Sequence, residues 1–216
     1  MTVSGLSELS VQKENRRFVE QFANPHSWFL TADNLYEQAA ALYRGRSRSS
    51  IMTMTDGSNR VLRRTVGIDK SAFLLGGFAL ENAIKAFLVY EHPQWISEGK
   101  LSGKLKSHGL TKLHGLSGII PFKKKHLWVL EEFESGLESW FRYPCALTMA
   151  ATPEGRDLRP ELWEGYGMVM RAYGKKLTTL LRKGWKGPCG FYGRWETEGE
   201  FLGYKTPIVS RPVRAQ

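Results

Sequence analysis

Ala72 to Tyr90, AFLLGGFALENAIKAFLVY, is the stretch that most restricts the fold. It is almost wholly apolar, yet Glu81 and Lys85 stand four residues apart inside it. A helix that is apolar all round has to be covered on every side. A charge within such a helix has to be paired, or face a site or a partner, because an unpaired buried charge is costly. The stretch therefore predicts the central helix of a bundle over 69–91. Asp69 or Ser71 is its cap, and His92-Pro93 follows its end. Glu81, Asn82 and Lys85 interrupt it too much for a membrane span. Gly76-Gly77 costs about 1 kcal/mol per residue against alanine in a helix interior. Close approach of a neighbouring helix is the expected compensation.

Four more helices follow from apolar spacing. Residues 5–23 carry Leu6, Leu9, Phe18, Val19 and Phe22, and Asn24-Pro25 ends the run. Residues 27–44 repeat Phe29, Leu30, Leu35, Ala39 and Leu42, with Ser27 as a candidate cap. A helix after Pro121 runs to about Phe141 through Leu127, Leu130, Phe133, Leu137 and Trp140. The last spans Pro160 to Lys183, opened by a proline and closed by Arg182 and Lys183, which suit the negative helix end. A short helix at 109–116 follows a loop over 94–107. Asp56-Gly57 lies between two short runs rich in Thr, Met and Val, which suits either a small hairpin or a disordered basic loop. Beyond Gly184 the chain is rich in Gly and aromatics, and Phe191–Trp195 is expected to pair with Glu200–Lys205. The fold class is all-α, four to five helices. Residues 1–186 form the bundle with a basic loop at 45–68, and 187–216 a basic C-terminal extension with room for a small β-hairpin.

The 216 residues suffice for one domain with a real core. The net charge of +10 is unevenly placed. Segment 44–64 holds Arg44, Arg46, Arg48, Arg60, Arg63 and Arg64 against Asp56, a net of +5. Segment 171–216 holds ten Lys or Arg against Glu196, Glu198 and Glu200, a net of +7. Two concentrated basic segments suit a polyanionic partner, nucleic acid or nucleotide, or simply a solvated face that keeps the chain soluble. Cys145 and Cys189 fit neither a disulfide framework nor a zinc pattern. The N-terminal residues do not read as a signal peptide, and a cytoplasmic protein is expected.

Phosphate loops, dinucleotide fingerprints, zinc-protease helices, calcium loops and nucleophile elbows are all missing from the sequence. His108 and His114 do not have a helical ligand spacing, so neither a metal nor a cofactor is expected. Three polar features remain. Glu81 and Lys85, with Glu first, make the favourable helical ion pair. With Asn82 they frame a groove for phosphate or ribose, or simply steady the bundle. Lys106-Ser107-His108-Gly109-Leu110 sets an imidazole before a short helix. Trp140-Phe141-Arg142-Tyr143-Pro144 sets an arginine between aromatics at a helix end, where it can reach a phosphate.

In order and distance these features resemble the HEPN family, the nucleotide-binding domains shared by higher eukaryotes and prokaryotes. The likeness lies in LLGGFALENAIKAFLV, then KSHGLTKL, then FRYP, within residues 25 to 183. Gly109 stands where the family usually has Asp. The resemblance implies an all-α bundle, often a dimer. It also implies RNA or nucleotide binding, metal-independent ribonuclease activity, or an assembly or antitoxin role in prokaryotic or phage defence and toxin–antitoxin systems. Active members place an Arg four to six residues before a His, and no histidine here has one.

Three functions are therefore carried forward. The first is a non-catalytic RNA- or nucleotide-binding module using Glu81, Asn82, Lys85, Lys106, Arg63, Arg64 and Tyr143. Trp185, Phe191, Tyr192, Trp195 and Tyr204 would be its stacking platforms. The second is a divergent endoribonuclease in which His108 and Arg142 meet from different elements or across a homodimer. The third is an antitoxin-like or assembly protein that binds a cognate protein partner through the Gly76-Gly77 face and the C-terminal extension. No membrane partner is expected.

Overall fold

One side chain ties the first two helices together. In the computed structural model α1 spans Val3–Gln21 and α2 spans Pro25–Gly45. Asn24 between them is buried. Its Oδ1 accepts the Ser27 amide at 2.9 Å, and its Nδ2 donates to the Val19 and Glu20 carbonyls at 3.1 and 2.8 Å. Asn24 thus caps the start of α2 and the end of α1 at once, with Pro25 in the first-turn position that suits proline. Ser27, the expected cap, lies inside the first turn and receives that cap instead. The structure describes residues 3–45, 51–66, 70–121, 123–143, 148–149 and 160–206.

The chain is mostly helical. After α2 come strands β1 (Ile51–Thr55) and β2 (Val61–Val66), joined through Asp56-Gly57. The central helix α3 spans Lys70–Glu91, as the apolar run predicts. Asp69, one of its two candidate caps, lies outside the described residues. α3 packs along α2 with the two chains antiparallel: Tyr43, late in α2, meets Phe73, early in α3, at 5.9 Å between ring centroids. By length and composition α3 could cross a membrane, but 78% of its apolar window is buried inside the chain. It serves as the core helix.

The segment after α3 is more ordered than a loop. It contains a 3-10 turn (Pro93–Trp95), a two-residue pair β3–β4 (Ile96–Ser97 with Lys100–Leu101), a second 3-10 turn (Gly103–Lys106) and the short α4 (Leu110–His114). The helix expected to reach Phe141 is compound. α5 covers Leu127–Ser135, and a π-helical turn follows over Gly136–Trp140. The wider turn sets the Phe141 ring against Gly136, where a Cβ would collide with it. α6 spans Pro160–Lys183, the bounds expected.

Gly76 and Gly77 explain themselves here. A Cβ on Gly76 would meet Phe133 and Tyr166 at 3.3 Å, and one on Gly77 would meet Leu137 at 2.8 Å. Side chains from α5, α6 and the π-helical turn therefore fill the space that a Cβ would take on α3. This face is filled by the chain itself, so it cannot be the partner surface that the assembly reading assigned to it.

The C-terminal pairing differs from expectation. Trp185–Lys186 (β5) pairs with Tyr192–Gly193 (β6), and Glu200–Phe201 (β7) pairs with Tyr204–Lys205 (β8). Each strand closes on its nearest neighbour because Cys189, Gly190, Leu202 and Gly203 all adopt positive φ, which makes tight local turns. Leu202 is buried, its amide donates to Asp33 Oδ1 at 2.8 Å, and Arg182 donates to the Thr197 carbonyl at 2.9 Å. The segment to 206 is thus packed onto α2 and α6.

Candidate functional site

Glu81 and Lys85 lie one turn apart on α3, each only 5% exposed. Lys85 Nζ donates to Glu81 Oε1 at 2.5 Å. Lys85 Nζ also stands 5.7 Å from the centroid of the Trp28 ring, a cation–π contact from the start of α2. Breaking a buried pair of this kind by removing one partner costs about 3–5 kcal/mol, since the other charge stays buried.

The pair has a third member. His108 Nδ1 lies 3.0 Å from Glu81 Oε2 and 3.2 Å from Oε1. The chain returns after α3 and brings the His108 turn back beside the middle of that helix. The His108 side chain is 72% exposed. A carboxylate facing Nδ1 selects the tautomer with the proton on that nitrogen, which leaves Nε2 to the solvent. The arrangement is a buried carboxylate, neutralised from behind by an ammonium, that orients an exposed imidazole. Such an imidazole can accept from a ribose hydroxyl or, when protonated, donate to a phosphate. Lys104, Lys106 and Lys112, all within four residues of it in sequence, are exposed, with Lys104 Nζ over the Trp95 ring at 4.9 Å.

The turn is held from a second side. Thr111 donates through both its amide and its hydroxyl to Glu134 Oε2, each at 2.7 Å. Gly109 has no side chain to cap α4, and Glu134 of α5 supplies that carboxylate. Sequence reasoning missed Glu134. Its one signal was a helix start without a local capping side chain. Trp28 was missed as well, and nothing in its spacing marks it.

The other expected site residues separate. Asn82 donates its amide to the Phe78 carbonyl at 2.8 Å, which ties it to its own helix, and it makes no described contact with Glu81, Lys85 or His108. Arg142 is exposed and stands 5.3 Å from the Tyr143 ring centroid, while Lys70 Nζ donates to the Tyr143 carbonyl at 2.9 Å. Tyr143 therefore docks at the N-terminal end of α3. Glu81 lies about 16 Å further along that helix at 1.5 Å per residue. Arg142 contacts Tyr143 and His108 contacts Glu81, and no described hydrogen bond, ion pair or ring contact joins the two residues. Arg63 is exposed on β2, with Arg64 next to it in the strand, and neither is joined to the His108 turn by a described contact.

The expected stacking platforms are mostly engaged. Trp185 is buried, and Trp195 stacks on His26 with centroids 5.3 Å apart. Phe191 packs against both tryptophans, and Tyr204 is half-buried. Tyr192 is the exposed member of the five. Among the described residues no group of three or more His, Cys, Asp and Glu could hold a metal ion. Compared with protein families, characterised proteins and solved structures, the chain matches none.

Proposed function

We propose that this chain is an RNA- or nucleotide-binding module built on an HEPN-like helical bundle, with the His108 turn at the centre of its binding face. The observation that carries the reading is the exposed imidazole fixed by Glu81, with Lys85 behind it and lysines around it. A fixed imidazole loses less freedom on binding than a mobile one, so it discriminates a phosphate or ribose hydroxyl at lower entropic cost. The lysines supply the sequence-independent attraction that polyanion binding needs. Glu81 and Lys85 act as positioning residues beneath the surface.

Fluorescence anisotropy with a labelled single-stranded RNA, and competition by mononucleotides, tests this. Affinity is expected to fall steeply with salt, by a log–log slope of about 0.7 per phosphate contact on single strands. Lys106→Ala and Lys112→Ala should each lower that slope by roughly one contact. His108→Ala should weaken binding by about tenfold, the value of one charge-assisted hydrogen bond. No binding of either ligand at about 50 mM salt rejects the proposal.

A further inference from the structure

The ribbon formed by β1 and β2 stands apart from the rest of the molecule. All five residues of β1 are exposed, Met52 at 76%, and Val61, Leu62 and Arg63 of β2 are exposed too. The sheet has only these two strands, so among the described residues the outer edge of β1 has no ladder partner. An isolated two-stranded hairpin is marginal in water, and an exposed apolar edge is a template for further pairing.

The two edges of the ribbon are not alike. β2 carries Arg63 and Arg64, and it carries the irregularity: Met54 pairs with Arg63 and Thr55 with Val61, which leaves Leu62 as the extra residue of a bulge. Charges and bulges are the devices that discourage edge pairing. β1, Ile51-Met52-Thr53-Met54-Thr55, has none of them: no charge, no proline and no bulged residue of its own. One edge is guarded and the other is open.

We infer that the open edge of β1 pairs with the β1 strand of a second copy of this chain, antiparallel, about a twofold axis through Thr53. A twofold interface has to be self-complementary. Met52-Thr53-Met54 is symmetric about Thr53, so Thr53 meets Thr53 of the second copy while Met52 and Met54 exchange places. Four methionine side chains then lie on one face of a four-stranded sheet, because residues two apart share a face. The basic β2 strands fall on the outer edges, as far from each other as the sheet allows. The uncharged strand is the one that can meet its own copy without like-charge repulsion.

Light scattering of the full chain across a concentration series is the test. The expected result is a reversible monomer–dimer equilibrium, complete by about 100 μM, as suits a small interface. Thr53→Lys places like charges opposite each other on the axis and should weaken the dimer about tenfold or more. Leu62→Lys adds the same charge to the guarded strand and should leave it within about twofold. Circular dichroism is the control, and both variants are expected to keep the helical signal of the wild type. With Cys145→Ala and Cys189→Ser in place, Thr53→Cys should cross-link on oxidation and Leu62→Cys should not. Cross-strand Cα spacings of about 4.5–5.5 Å lie within disulfide reach. A monomer at all concentrations, or equal weakening by both lysine variants, overturns the inference. So does a monomer whose ribbon variants lose RNA affinity, which would give the ribbon to a polyanion instead.

Discussion

The β1–β2 ribbon and the C-terminal segment 185–206 are two non-helical parts of this molecule, and they hold their shape by opposite means. The ribbon has a hydrogen-bonded ladder from Ile51↔Val66 to Thr55↔Val61 and a turn tightened by Asp56 Oδ1, which accepts from the amides of Ser58 and Arg60. All of β1, and Val61, Leu62 and Arg63 of β2, are exposed. The C-terminal segment has strands of only two residues, yet Leu202 and Trp185 are buried and Trp195 lies on His26. Regular backbone geometry fixes the first locally, and burial against helices fixes the second to the fold. Local regularity and global stability are separate properties here.

The comparison can be broken most decisively at Leu202. Leu202→Ala is expected to cost about 2–5 kcal/mol in urea unfolding followed by tryptophan fluorescence. A cost under about 1 kcal/mol would mean that burial does not anchor the segment. Gly174→Ala comes next. Its Cβ would press on the Phe201 carbonyl, a backbone atom that cannot rotate away, and about 1–3 kcal/mol of destabilisation is expected from overpacking.

A third test uses pH. Burial holds His26 below its ordinary value of 6.5. The unfolded chain then binds this proton more readily, so stability from His26 is full above pH 6.5 and is lost as pH falls through that value. The thermal midpoint should drop between about pH 7 and 5.5, and His26→Phe should remove part of that drop while keeping a ring under Trp195. Burial also lowers His114 and His126, so the difference between wild type and variant is what isolates His26. Asp33 is raised by burial against the pull of the Leu202 amide, and it acts with opposite sign nearer its ordinary value of 3.8, outside that window. The smallest effect belongs to the ribbon. Val61→Thr should change global stability by no more than about 0.5 kcal/mol, because it removes an exposed methyl from a segment that the core does not use.

The sequence was most legible where a single physical rule dominated. Continuous apolarity marked α3, proline and terminal cations marked α6, and a double glycine marked the place where α5 and α6 close on α3. The Glu81–Lys85 pair followed from helical spacing, and the family resemblance set both the His108 turn and the Arg142 helix end beside it, of which His108 alone makes a described contact with Glu81. What stayed hidden depended on tertiary placement. The π-helical turn Gly136–Trp140 keeps the apolar spacing of an ordinary helix, so periodicity cannot reveal it. Leu202 at φ 50° is a turn residue without turn chemistry, held there by its buried side chain. On sequence alone Arg142 and His108 are able to meet, but Tyr143 docks at the start of α3 while His108 sits beside its middle, which spacing along the chain does not show.

The His108 turn is fastened at two points to two different helices. Glu81 holds the imidazole to α3, and Glu134 holds the backbone after it to α5. The imidazole therefore works as a gauge of the joint between those helices. If α5 slides along α3, the two carboxylates move apart and the ring tilts, with the widened turn after Ser135 as the place where that slip is taken up.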